Sequence, residues 1–138
     1  MELVVERVQS RTENKQYDGT PLEVITEAIC EVLPVDETRK LEMEVWFAFS
    51  AKTLVDSTLG ALSNKVYKDM QTGIKKVIGS LQALNLLNEN VEMEREVFRL
   101  HALVDGMAMH HLLYPEQFSY DNMITTLKYH LESLCKAA

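Results

Sequence analysis

Residues 97–114 read Val-Phe-Arg-Leu-His-Ala-Leu-Val-Asp-Gly-Met-Ala-Met-His-His-Leu-Leu-Tyr, and this stretch decides the fold. Its length and composition are those of a helix, yet apolar residues fall on nearly every side of it. Two apolar stripes run along it, one formed by Val97, Leu100, Val104 and Ala108 and the other by Phe98, Ala102, Met109 and Leu113. A helix that is apolar all round has to be buried all round. The chain's own core can cover one side, and we expect a second copy of the chain to cover the other.

The rest of the chain predicts five further helices and no convincing strand. Apolar residues recur at helical spacing in 2–14, 20–33, 36–54, 59–84 and 119–134. Thr20, with a glutamate three residues later, and Asp36 are common N-cap residues. Pro34 disfavours helical geometry in the residue before it, so the second helix should end near Leu33. The sequence therefore predicts an all-α single domain, residues 1–138, built as a bundle of about six helices.

The composition excludes several classes of protein. The formal net charge is −7, and a phosphate backbone is bound by clustered lysines and arginines, so the chain taken alone is a poor candidate for nucleic-acid binding. Its one basic cluster, typical of a solvated helix face, consists of Lys65, Lys68, Lys75 and Lys76. The start of the chain lacks the apolar region of a signal peptide, and no run approaches ~18 apolar residues. We therefore expect a cytoplasmic protein without a membrane segment.

No pattern in the sequence indicates catalysis or metal binding. The HExxH and Glu-x-x-His signatures of zinc proteases and di-iron bundles are absent. His101 and Asp105 lie four residues apart, and we interpret them as a polar pair in or beside a pocket, because a zinc site needs three or four converging ligands. Neither Cys30 nor Cys135 has the basic neighbours that would activate a thiolate. We therefore predict no enzyme activity, no metal and no cofactor.

Aromatic and adaptable side chains indicate a small-molecule pocket. Trp46, Phe47 and Phe49 lie within four positions, and the chain contains seven methionines. Such side chains either line a cavity for varied apolar ligands or form an ordinary core. Together with nearby polar groups that could orient a ligand, they give the predicted ligand-binding residues Trp46, Phe49, Ser50, Met70, Phe98, His101 and Asp105.

The apolar helix 97–114 also predicts contact with a second copy. Its glycine puts no side chain on the surface and would let another helix approach closely. The predicted dimer-interface residues are Gly106, Met109, His110, Leu113, Leu127, His130, Leu131 and Leu134. One side of the helix, with Phe98 and Asp105, is thus predicted to face the ligand, and the other side, with Met109 and Leu113, to face the partner.

Three stretches resemble the C-terminal domain of TetR-family transcriptional repressors, in the branch that includes the choline–betaine repressor. The first is Thr20-Pro21-Leu22 together with the helix that contains Glu-Met-Glu-Val-Trp-Phe-Ala-Phe-Ser-Ala at 42–51. The second is Leu-Gln-Ala-Leu-Asn-Leu-Leu at 81–87. The third and most specific is Leu-Val-Asp-Gly-Met-Ala-Met-His at 103–110, followed after Pro115 by a terminal amphipathic helix.

The resemblance implies an effector-binding and dimerisation domain. In that family the last two helices pair with their copies in a four-helix dimer interface, the preceding helices enclose a pocket, and ligand binding changes the spacing of two DNA-reading domains. It implies a homodimer, a small-molecule effector, and DNA contact only through a helix-turn-helix domain that these residues lack. Residues 2–14 resemble the connecting helix of the family, starting partway along it. The alternative is a helical protein–protein adaptor without a small-molecule pocket.

Overall fold

Six α-helices account for most of the computed structural model, which describes residues 1–137. They are α1 Glu2–Asn14, α2 Pro21–Cys30, α3 Glu37–Thr53, α4 Gly60–Ala83, α5 Met93–Leu113 and α6 Tyr120–Ser133. A short 3-10 turn, Ser57–Leu59, precedes α4. Within residues 1–137 the only β geometry is an isolated antiparallel bridge between Leu87 and Cys135. The predicted all-α class is confirmed.

The predicted helix starts have the capping hydrogen bonds that their residue types favour. The Thr20 hydroxyl accepts a hydrogen bond from the backbone N–H of Glu23, and the Glu23 carboxylate accepts one from the backbone N–H of Thr20. Asp36 caps α3 by accepting from the backbone N–H of Arg39. Helix α2 ends at Cys30, earlier than predicted, because the next three residues make tighter bonds to carbonyls three positions back.

The core lies around the inner side of α5. Its stripe Val97, Leu100, Val104 and Ala108 is buried, as the sequence predicts. Helix α4 packs along α5 most extensively, and α6 packs against both α5 and α2. The core residues that these neighbouring helices contribute are Ile25, Ile29, Ile74, Ile78, Leu81, Met123, Leu127 and Leu131. Helix α5 is therefore the central element of the bundle.

Helix α1 contacts the bundle through Arg11, whose guanidinium binds two buried carboxylates. The side chains of Glu31 and Glu42 are 1% and 0% exposed. Arg11 Nη2 lies 2.8 Å from Glu42 Oε1, and Nη1 lies 3.1 Å from Glu42 Oε2. Arg11 Nε donates to Glu31 Oε2, and Nη2 also donates to the backbone carbonyl of Glu31 at 3.0 Å. This forked geometry fixes both the position and the rotation of α1 on the bundle.

Two further cations complete the environment of Glu31. Lys15 Nζ lies 2.8 Å from Glu31 Oε1, and Arg39 Nη2 lies 2.7 Å from Glu31 Oε2. Burial raises the pKa of the Glu31 carboxyl, but the hydrogen bonds from Lys15, Arg39 and Arg11 outweigh it and hold that pKa below its ordinary value. Glu31 is therefore a buried anion at neutral pH, bound by cations from α1, α3 and the connection after α1.

None of the helices within residues 1–137 is both long enough and apolar enough to cross a membrane.

The lowered pKa of Glu31 predicts a specific acid sensitivity. A carboxylate whose folded-state pKa is depressed stabilises the fold fully above its unfolded-state value, here 4.5, and loses that effect as the pH falls through the lower folded-state value. Urea unfolding at neutral pH should show Glu31→Gln to be less stable than the native chain by about 3 kcal/mol. The difference should shrink as the pH is lowered below 4.5. A difference that stays constant with pH would contradict this assignment.

Candidate functional site

The outward side of α5 carries an exposed apolar stripe. Phe98 is 51% exposed, Met109 41% and Leu113 60%, and Ala102 between them is also exposed. Residues at intervals of three, four, seven and eleven share one face of a helix, so Asp105 lies on this face as well. Phe98 and Asp105, predicted to face a ligand, thus share a face with Met109 and Leu113, predicted to face a partner. The predicted division of α5 into these two faces does not hold.

His101 is the predicted ligand residue of α5 that points into the bundle. It is buried, and its Nε2 lies 3.8 Å from Asp105 Oδ2. The ring of Tyr67 on α4 covers it, with 4.6 Å between the ring centroids. His101 Nδ1 is buried and has no hydrogen-bond partner within residues 1–137. Sequence periodicity missed Tyr67, because it lies one residue beyond the apolar seam of α4 at Val66.

The carboxyl of Asp105 differs from an ordinary surface carboxyl. Burial raises its pKa, and the nearby His101 offsets this only in part. The side chain remains 40% exposed, so it is accessible from the apolar stripe. A carboxyl in this setting can donate a hydrogen bond when protonated and attract a cation when ionised.

Helix α3 supplies the aromatic part of the candidate site. The rings of Trp46 and Phe49 stack with their centroids 6.0 Å apart. Ser50 Oγ is buried without a hydrogen-bond partner in the protein. Helix α3 packs against both α4 and α5, and Met70 on α4 is half-buried against the core. The seven predicted ligand residues all lie on α3, α4 and α5, three helices that contact one another. We call Trp46, Phe49, Ser50 and His101 the aromatic site.

Two open clefts lie at a different place in the fold. Their volumes are about 480 and 210 Å³, and both lie between the loop after α4 and the C-terminal end of α6. None of the seven predicted ligand residues lines either cleft. In this conformation the polar atoms of Ser50 and His101 are thus covered by protein.

Three residues predicted for the dimer interface belong to the core of a single molecule. Leu127, Leu131 and Leu134 are at most 4% exposed. The seam of α6 at which they lie is covered by α2 and α5 of the same chain, so they have no surface left for a partner. The apolar residues of α6 recur at intervals of three and four, which indicates a helix packed along others, but the spacing alone cannot identify which helices these are.

The other predicted interface residues keep accessible surface. Met109, His110 and Leu113 are exposed, and His110 packs edge-on against Phe118 at 5.9 Å between ring centroids. Gly106 is open, since a Cβ added there would meet nothing within 4 Å.

His130 on α6 is half-buried, with Nε2 covered and unpaired. Burial lowers the pKa of its imidazole, and the nearby Glu96 opposes that shift. Within residues 1–137 no group of three or more His, Cys, Asp or Glu side chains converges as metal ligands would.

Comparisons with known proteins find similarity to transcriptional regulators. The model of a family described as "BetI-type transcriptional repressor, C-terminal" matches residues 21–136. The chain is 33% identical over 141 residues to the HTH-type transcriptional regulator PksA of Bacillus subtilis (strain 168). That match takes in 98% of this chain but only 65% of the length of the relative.

Two solved structures share the fold. One is a transcriptional regulator from Rhodococcus sp. Rha1, with a TM-score of 0.77 and 22% identity over 96% of this chain and 67% of that one. The other, described as a TetR-family transcriptional regulator from Rhodococcus sp., has a TM-score of 0.81 and 12% identity over 98% of this chain and 71% of that one. At these identities the likeness establishes the architecture alone.

The placement of α6 can be tested with two leucine truncations. Leu131→Ala should lower the free energy of unfolding by about 2–5 kcal/mol, because it leaves a cavity in the core. Leu54→Ala removes the same atoms from a side chain that is 87% exposed. This control should change the free energy of unfolding by less than about 0.5 kcal/mol. Chemical denaturation of both variants measures this, and equal effects would contradict the core position of Leu131.

Proposed function

Because the chain belongs to the TetR family of transcriptional regulators, as a C-terminal region of the BetI type, we propose that it is the effector-binding and dimerisation part of a cytoplasmic repressor. A small molecule binds at the aromatic site, a second copy binds at the exposed stripe of α5, and the two events are coupled. In the full-length repressor, a helix-turn-helix domain outside these 138 residues contacts DNA and releases it when the effector binds.

The observations that carry the effector proposal are two unpaired buried polar atoms, one on α3 and one on α5, and a stacked aromatic pair on α3. Ser50 Oγ and His101 Nδ1 are buried without partners, and Trp46 stacks on Phe49 nearby in sequence. An unpaired buried polar group is costly, and ligand sites are typically apolar surfaces with a few convergent polar groups. An effector with one polar group and an apolar or cationic body would satisfy these atoms.

Trp46 provides the readout for effector binding, since it is the only tryptophan in the chain. A screen of apolar and cationic small molecules should identify ligands that quench Trp46 fluorescence and raise the melting temperature. Ser50→Ala should weaken such a ligand by about tenfold, because it removes a buried hydrogen-bonding group. Ser80→Ala, at an exposed position in the last turns of α4, is the matched control and should leave the affinity unchanged. Equal affinities in both variants would remove Ser50 from the site.

The geometry of α5 supports dimerisation through its exposed stripe. The midpoint between Phe98 and Leu113 falls between Asp105 and Gly106, and the glycine leaves room for a close approach. If the α5 helix of a second copy crosses there in antiparallel orientation, Phe98 of each helix faces Leu113 of the other. Such self-complementary contact is what a two-fold dimer needs.

A charge placed in the stripe should therefore prevent dimerisation without unfolding the chain. Met109→Glu should sediment as a monomer at micromolar concentration while the native chain sediments as a dimer, because an unpaired carboxylate is costly in an apolar interface. Thr72→Glu adds the same charge at an exposed position of α4 and should remain dimeric. A folded dimer of Met109→Glu would place the interface elsewhere.

One observation favours a second candidate function, a protein–protein adaptor without a small-molecule pocket. Ser50 Oγ and His101 Nδ1 are covered by protein, so a ligand that contacts both atoms requires the helices to move. Failure of every screened molecule to affect Trp46, with the dimer intact, would favour the adaptor.

A further inference from the structure

Ion pairs contribute more than apolar contacts to the attachment of α1 to the bundle. Val4 is the one residue of α1 that is buried. Against this, Arg11 makes hydrogen bonds to both Glu31 and Glu42, and Arg7 Nε lies 3.3 Å from Glu42 Oε2. A helix with so small an apolar contact depends on these ion pairs for its position.

The two buried carboxylates make this attachment close to all-or-none. Glu42 has no exposed surface and receives its hydrogen bonds from Arg11 alone, with Arg7 as a second cation nearby. A small displacement of α1 would break both hydrogen bonds before water could reach Glu42, which is far more costly than losing a surface pair. Small sliding movements of α1 are therefore disfavoured, and two distinct positions, attached and released, are favoured.

Helix α3 carries both this attachment and the aromatic site. Glu42 and Trp46 lie four residues apart, which places them on the same side of one continuous helix. Arg39, one turn before Glu42, binds Glu31 at 2.7 Å. A rigid-body movement of α3 at Trp46 therefore also moves Glu42, which binds Arg11, and Arg39, which binds Glu31.

Ligand binding at the aromatic site requires such a movement. Ser50 Oγ and His101 Nδ1 have essentially no solvent-accessible surface, and they lie on two helices, α3 and α5, that pack against each other. A molecule that contacts both atoms has to separate α3 from its neighbours.

We propose that Arg11, with Glu31 and Glu42, is an ionic latch through which displacement of α3 at the aromatic site releases or repositions α1. This inference rests on the proposed function, which gives the aromatic site its effector-binding role. The latch itself can be tested without any ligand. Because coupling between two sites is reciprocal, opening the latch must also change the aromatic site.

The test uses Arg11→Met in the full chain of residues 1–138, with two readouts. Amide hydrogen exchange in α1, normalised to α6, should become faster by about tenfold or more, the effect expected for losing charge-assisted hydrogen bonds. The emission of Trp46 should shift, and exchange around 42–50 in α3 should also become faster. Arg7→Met is the matched control, because Arg7 is on the same helix and near the same carboxylate but makes a single, longer contact. It should change α1 exchange by less than about threefold.

A second variant perturbs the aromatic site, and its effect is measured at α1. Ser50→Phe inserts a bulky side chain at the aromatic site and should make α1 exchange faster, with little further change when combined with Arg11→Met. If Ser50→Phe destabilises the whole chain, so that α6 exchange rises equally, Ser50→Leu replaces it.

The proposal is overturned if Arg11→Met leaves α1 exchange unchanged, or if it releases α1 while Trp46 emission and α3 exchange stay as in the native chain. Neither readout involves an effector, so failure here is distinguishable from failure to find one.

Discussion

The structure depends on the contact between one arginine and two carboxylates that have almost no access to water. Glu31 directly follows α2 and Glu42 lies in the second turn of α3, so Arg11 binds next to the junction between these two helices and joins α1 to both. Desolvation makes such a cluster a poor source of net stability, and well-packed apolar side chains could do as well. Its value lies in specificity, because the forked guanidinium accepts one arrangement of the two carboxylates and so defines one position for α1.

Helix α5 has the complementary role at the centre of the bundle. Its inner stripe closes the core, and its outer stripe remains apolar and exposed in a single molecule. The polar pair of His101 and Asp105 lies between the two, with the histidine turned inward and the carboxyl accessible from outside. A ligand that contacts His101 and a partner that covers Asp105 therefore act on adjacent turns of one helix. This proximity gives a physical basis for coupling effector binding to dimer geometry.

Local features could be predicted from the sequence, and long-range ones could not. The capping box at Thr20 and the buried stripe that contains Leu100 depend on spacings of three and four residues, which a single chain displays directly. The amphipathic helix α6 was predicted, but Leu131 was assigned to contact with a second copy and not to the core of its own chain, because the spacing does not identify the facing helix. The predicted separation of Phe98 from Met109 conflicts with their own spacing of eleven residues, which places both on one face of α5. The Arg11 network joins residues 20 and 31 positions apart, and no periodicity indicates such a pairing.

The central claim, that Arg11 and Glu42 position α1 by binding each other directly, is tested most directly by a double-mutant cycle. The free energy of unfolding is measured for the native chain, Arg11→Met, Glu42→Gln and the double variant. The account predicts a coupling energy of about 2–3 kcal/mol, since each single variant leaves the other group buried and poorly paired. Additive effects, with a coupling energy below about 0.5 kcal/mol, would show that the two residues act independently and would contradict it.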